Sequence, residues 1–232
     1  MTTNASAPTL DGAGTIPLHV ARPAGDPRGA VIVIQEIFGV NPGIRKKCAD
    51  FAAQGYLAVA PDVFWRQKPG IELDSDIPEQ FQEAIGYMMK HDFDEGIKDV
   101  EAVIHWIRRE QGVPKVGLVG YCMGGRIAYM AATRTDIDAS VGYYGVGIHE
   151  MLHESKAIAK ALLLHVPTAD GFVPPEAQKA MHEGLDGNPH VTIHDYEGLD
   201  HGFAAEDGMR RDEAGAQLAD QRTAAFFASH LG

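Results

Sequence analysis

Cysteine is almost missing from this chain. Two in 232 residues, Cys48 and Cys122, are too few for a disulfide framework. Basic residues are also scarce: 20 Lys and Arg stand against 32 Asp and Glu, a formal net charge of −12, and no basic run is longer than Arg45-Lys46-Lys47. A surface for nucleic acid or anionic membrane needs clustered positive charge, so both partners are excluded as expectations. No apolar run approaches the roughly 20 residues a membrane helix requires. The first residues, MTTNASAPTLDG, lack the charged-then-apolar pattern of a secretory signal. Internal repeats and low-complexity stretches are absent too. These absences predict a reduced, cytoplasmic protein; no cofactor and no metal are expected, and the oligomeric state is left open with the monomer favoured.

What is present is globular. Hydrophobic residues make up 45% and charged residues 22% of the chain, which suits one domain over residues 1–232. Short apolar runs alternate with helical patterns. Strands are expected at 16–20, 30–34, 56–60, 115–119, 140–144, 161–166 and 190–196. Helices are expected at 41–54, 79–89, 93–110, 123–133, 175–185 and 211–230. Such alternation implies βαβ units and a mostly parallel sheet with helices on both faces. AVIVI and ALLLHV are apolar on both faces, as buried parallel strands should be. The longest irregular stretch, 62–78, holds Trp65, Pro69 and Gly70 and is a candidate lid or pocket wall.

One corner carries chemistry. Gly120-Tyr121-Cys122-Met123-Gly124 lies where a strand becomes a helix. It has the G-x-nucleophile-x-G form of a nucleophile elbow, with cysteine in place of serine. Side chains two positions either side would collide in so tight a turn, which is the reason for the glycines. Ligand sites in such sheets lie at the carboxyl ends of strands. There the chain places Glu36 (QEIFG), Asp170 (ADGFVP) and His201 (LDHGF). Cysteine, aspartate, histidine is the chain order of nucleophile, acid and base in α/β-hydrolases. A helix N-terminus and an imidazole favour the thiolate; His201 would protonate the leaving group and Asp170 would fix the imidazole tautomer. The backbone N–H groups of Met123 and Ile37 are the expected oxyanion donors. Asp195 and Asp200 compete to orient His201 but lie close to it in sequence. Cys48 reads as a packing residue, and Arg126 as a helix residue that either reaches the site or faces solvent.

QEIFG, GYCMGG, YYGVG, ADGFVP and DHGF, in this order from Gln35 to Phe203, resemble the dienelactone hydrolase family. The resemblance implies an α/β-hydrolase that opens a small ester or lactone through an acylated cysteine. It implies that Glu36 contacts the thiol and can take its proton when substrate binds, and that Phe38, Tyr144 and Phe172 are pocket aromatics. The chain departs from the family pattern at the two arginines that hold the dienelactone carboxylate. Their positions read Phe81 and Ala205, and a neighbouring pocket tyrosine reads Ile85. That wall is then apolar, Glu36 lacks its usual arginine partner, and neutral esters are expected to be preferred over carboxylate-bearing ones. Arg126 or Arg210 could replace the clamp by swinging in.

Two other readings stay open. His149-Glu150-Met151-Leu152-His153 matches H-E-x-x-H, which on an α-helix puts two imidazoles on one face for zinc. A third ligand would have to be Glu176 or Glu183, because Lys156 occupies the position where the extended motif needs glycine. Alternatively Cys122 is a redox-sensing thiol on a non-catalytic hydrolase scaffold.

Overall fold

A computed structural model describes residues 3–206 and 208–232. Eight strands form one sheet: β1 (Ala5–Pro8), β2 (Thr15–Ala21), β3 (Gly29–Ile34), β4 (Tyr56–Pro61), β5 (Val116–Tyr121), β6 (Ala139–Tyr143), β7 (Ala161–Pro167) and β8 (Val191–Tyr196). Their spatial order is β1-β2-β4-β3-β5-β6-β7-β8. β1 and β2 pair antiparallel and β2 joins β4 antiparallel; from β4 to β8 every neighbour is parallel.

Six α-helices cover the sheet: α1 (Pro42–Ala53), α2 (Pro78–Met89), α3 (Phe93–Glu110), α4 (Met123–Arg134), α5 (Pro175–Leu185) and α6 (Glu213–Leu231). The pleat sorts the central strands between two cores. Ala30, Ile32 and Ile34 of β3 pack with α3, α4 and α5 on one face, while Val31 and Val33 pack with α1 and α6 on the other. β5 does the same with Val116 and Leu118 against Val119 and Tyr121. Each such side chain, fully buried, contributes roughly 1.5–3 kcal/mol, which is why this central region can hold strained turns at its ends.

Local signals set the helix starts. Asn41 caps α1 by accepting the Ile44 N–H at 3.0 Å, and Asp92 caps α3 by accepting from Asp94 and Glu95 at 3.0 and 3.1 Å. In α3, Val100, Val103, Ile104 and Ile107 recur at helical spacing and all are buried.

Two details differ from expectation. β1 has no counterpart in the sequence pattern: it is four residues long and is held by pairing with β2 and by the Asn4 side chain, which bonds both backbone groups of Val20. The HEMLH stretch lies in a 3-10 helix, Ile148–Ala157, not an α-helix.

Candidate active site

Every strand from β3 to β8 points its carboxyl end to the same edge, and the candidate residues leave the sheet there. Cys122 follows β5 and precedes α4 with φ 55° and ψ −114°. A non-glycine residue in such a conformation costs of order 1–3 kcal/mol. Its surroundings enforce it. The Cys122 N–H donates to the Tyr143 carbonyl of the next strand at 3.0 Å, and its carbonyl accepts from Gly125 at 2.9 Å. A Cβ at Gly120 would lie 1.9 Å from the Gly124 carbonyl oxygen, and one at Gly124 would lie 2.6 Å from that of Ile34. The glycine spacing therefore has the steric cause the sequence suggested. Tyr144, after β6, is the other non-glycine residue with positive φ among those described, at 38°.

Asp170 follows β7 and His201 follows β8. His201 Nδ1 meets Asp170 Oδ2 at 2.9 Å with the carboxylate fully buried. The other oxygen, Asp170 Oδ1, accepts the N–H groups of Phe172 at 2.8 Å and Val173 at 3.2 Å. Asp200 is turned elsewhere: its Oδ1 accepts the backbone N–H of His201 at 2.7 Å. Asp195 pairs with His182 at 3.2 Å. The ring of His201 is wedged edge-on between Tyr144 and Phe172, with centroids 4.9 and 4.8 Å away. Burial, the largest single influence, pulls its pKa down. The charge of Cys122 and hydrogen bonds to Asp170 and Cys122 outweigh that and raise it to about 10. His201 thus hydrogen-bonds the Asp170 carboxylate and feels the charge of Cys122 beside it.

Ile37 and Met123 flank the thiol. Among the described residues no acceptor is found for either backbone N–H, and Met123 is the first residue of α4, where N–H groups have no partner within the helix. Glu36 sits beside them. Burial pushes its carboxyl above the ordinary value, against the opposing pull of His201. The fully buried Tyr144 hydroxyl faces this carboxyl but makes no hydrogen bond of ordinary geometry.

Cys122 and His201 open on a cavity of about 260 Å³. Phe38, Phe81, Ile85, Phe172 and Ala205 line it, as does Ile37. Phe38 and Phe81 pack against each other at 5.7 Å. Sequence reasoning missed Met88 and Val146 in the same wall. Met88 was within reach of it, three positions after Ile85 on one helix face. Arg210 also borders the cavity, its guanidinium 5.5 Å from the Phe172 ring. Arg126 does not: it pairs with Glu150 at 3.2 Å and lies over Phe93.

A second cavity of about 350 Å³ adjoins the first and shares Glu36, Phe38, Ser75, Ala205 and Gly208 with it. Leu73 to Asp76 form one side, so the irregular stretch after β4 is a wall of the cleft. Lys47 forms part of the floor. Its side chain is 6% exposed and paired with Glu206 at 2.7 Å and Asp220 at 3.1 Å. Cys48 beside it is fully buried, as a packing residue would be. The zinc reading lacks a frame. A 3-10 helix turns three residues per turn, so His149 and His153 do not share a face. No group of three or more His, Cys, Asp or Glu able to hold a metal occurs among the described residues.

The strand order, with a glycine-flanked elbow after β5 and acid and histidine after β7 and β8, defines an α/β-hydrolase. The chain belongs to the dienelactone hydrolase family, whose family model matches residues 16–231. A carboxymethylenebutenolidase of Pseudomonas putida is 37% identical over 210 residues, covering 90% of this chain and 89% of that one. A protein of Azospirillum brasilense, provisionally given the same name, is 42% identical over 220 residues, 94% and 95% of the two chains. Among solved structures, one from Klebsiella pneumoniae, provisionally named a dienelactone hydrolase, superposes with a TM-score of 0.83 at 29% identity, covering 98% of this chain and all of the other. The chain is a hydrolase of this family. No described helix is long and apolar enough to cross a membrane.

Proposed function

We propose that the chain cleaves small carboxylic esters or lactones that carry no free carboxylate, through a Cys122–His201–Asp170 triad and a thioester intermediate. The observation that carries this is the coupled set itself: a cysteine held in a strained turn, in contact with an imidazole whose far nitrogen is fixed 2.9 Å from a buried carboxylate.

The thiolate sulfur adds to the substrate carbonyl carbon, and the carbonyl oxygen takes the negative charge. The N–H groups of Ile37 and Met123, for which no acceptor is found among the described residues, receive that oxyanion. Collapse breaks the bond to the alcohol oxygen, which takes the proton of His201. Water then adds to the thioester and gives a proton to His201, and the second collapse releases the carboxylic acid and restores the thiolate. Asp170 supports the imidazolium charge throughout. Glu36 lines the same cavity; burial raises the proton affinity of its carboxylate, so that when ionised it serves as a second proton acceptor for the thiol.

Hydrolysis of p-nitrophenyl acetate is the test, with iodoacetamide and a chelator applied separately. Loss with iodoacetamide alone is expected. Cys122→Ala should abolish turnover and Cys122→Ser should lose about two decades or more, because a hydroxyl is far harder to ionise. Cys48→Ala should stay near wild type. Appreciable turnover by Cys122→Ala, or sensitivity to the chelator, would overturn the mechanism. A folded protein with no esterase activity would leave the sensor-thiol reading.

A further inference from the structure

We propose that the second cavity is a substrate lobe that selects a positively charged group at the end of the ester remote from the apolar lobe. This rests on the hydrolase reading above and deepens it. The two cavities are one cleft, since five residues line both. The lobe with Cys122 is walled by Ile37, Phe81, Ile85, Met88, Val146 and Phe172, and suits the hydrocarbon end of a substrate. The other lobe has a different chemistry. Glu36, Glu72, Asp74, Asp76 and Glu206 all line it, and Lys47 is its one basic lining residue among those described.

Pairing sharpens the imbalance. Lys47 is already held between Glu206 and Asp220. Arg45 neutralises Glu72 at 2.8 Å. Asp74 and Asp76 have no ion-pair partner among the described residues: Asp74 accepts the Asp76 N–H at 2.9 Å and Asp76 accepts the Met209 N–H at 3.4 Å. Acidic side chains alone would not make a site. Here they rim a cavity that runs into the candidate reaction centre. In addition the buried Tyr144 hydroxyl, 1% exposed and without a hydrogen bond of ordinary geometry, lines that cavity beside the Glu36 carboxyl. Phe38 lines the same space, and aromatic faces attract cations; the Tyr121 ring there already lies under the Lys47 ammonium, 5.4 Å away. Arg210, with no ion pair among the described residues but with Asp200 close enough to feel its charge, borders the apolar lobe instead. The acidic excess therefore lies at the Asp74–Asp76 end of the cleft, on exposed carboxylates whose pull on a cation is screened by salt.

The test uses matched pairs that differ only in charge. Butyrylcholine is compared with 3,3-dimethylbutyl butyrate, and the propyl ester of trimethylammonioacetate with propyl 3,3-dimethylbutanoate. The first pair places the charge on the alcohol and the second on the acid. After division by the uncatalysed hydroxide rates, which an α-ammonium group raises by itself, the cationic ester of at least one pair should show kcat/KM about ten-fold above its neutral isostere at low salt, shrinking as ionic strength rises. Asp74→Asn combined with Asp76→Asn should bring that ratio toward one. The ratio is read within one protein, so a general loss of activity does not affect it. Equal turnover of both members in both pairs, or preference for the neutral one, overturns the lobe while leaving the hydrolase reading intact. A ratio that survives 0.5 M salt or the double substitution also overturns it. Failure to cleave either pair together with p-nitrophenyl acetate would instead overturn the hydrolase reading on which the lobe rests.

Discussion

Asp170→Asn tests the triad where its geometry is most explicit. The carboxylate is fully buried and the His201 side chain 7% exposed, so their 2.9 Å contact is hardly screened by water. Two unit charges about 4 Å apart at an effective dielectric of about 20 attract by about 4 kcal/mol. At 1.36 kcal/mol per decade, losing that support for the imidazolium costs about three decades in turnover. The amide adds a geometric fault. Its oxygen is drawn to the Phe172 and Val173 N–H groups that Asp170 Oδ1 now accepts, at 2.8 and 3.2 Å. The NH2 group then faces His201 Nδ1 and can only donate, which forces the ring proton onto Nε2. An imidazole in that tautomer cannot take the thiol proton. The expected result is a loss of about three decades in kcat/KM for p-nitrophenyl acetate at pH 7.5, with alkylation of Cys122 by iodoacetamide moving to higher pH. Activity within ten-fold of wild type, with an unchanged alkylation profile, would show that the 2.9 Å contact does not support the reaction.

The same geometry yields further expectations. Gly120→Ala should destabilise by roughly 2 kcal/mol or more, because its Cβ would lie 1.9 Å from a backbone oxygen, whereas Gly25→Ala, with nothing within 4 Å, should leave the thermal midpoint nearly unmoved. His201 has a folded pKa of about 10, above its ordinary value of about 6.5, so the folded state keeps a proton that the unfolded chain releases. Its stabilising contribution is complete below about pH 6.5 and is lost as pH rises toward 10; in chemical denaturation, wild type should lose more stability than His201→Ala across that window, and parallel curves would refute the coupling. A dienelactone methyl ester should be cleaved more efficiently than the free carboxylate, since Phe81, Ile85 and Ala205 line the cavity where a cationic clamp would stand. Preference for the carboxylate that vanishes with salt or in Arg210→Ala would show that Arg210 has taken over the clamp.

The parts of this molecule that local chemistry dictates could be read from the chain. The runs of β3 and β5 are apolar on both faces because both faces are covered, and that leaves a mark in every residue. Gly120 is legible because the collision it avoids, with Gly124, lies four residues away; the collision Gly124 avoids is with Ile34 of β3, which the local turn does not show. β1 was invisible, since four residues paired at the sheet edge carry no periodic signal. HEMLH misled because spacing along a chain implies a shared face only if the helix is an α-helix, and here it tightens to three residues per turn. Lys47 marks the boundary between the two kinds of information. Ile44, Lys47, Cys48 and Phe51 share one face of α1 and all are buried, so the face could be inferred from helical spacing alone. What the spacing cannot supply is the counterion. A buried ammonium must find carboxylates, and the nearest answers, Glu206 and Asp220, come from the far end of the chain, the latter 173 residues away. Before folding, Lys47 counts as one more positive charge on a basic run. After folding it is spent on those two carboxylates, and the lobe above it is left to Asp74 and Asp76. The sign of the cleft is therefore set by which charges the fold pairs off, a quantity that the net charge of the sequence does not contain.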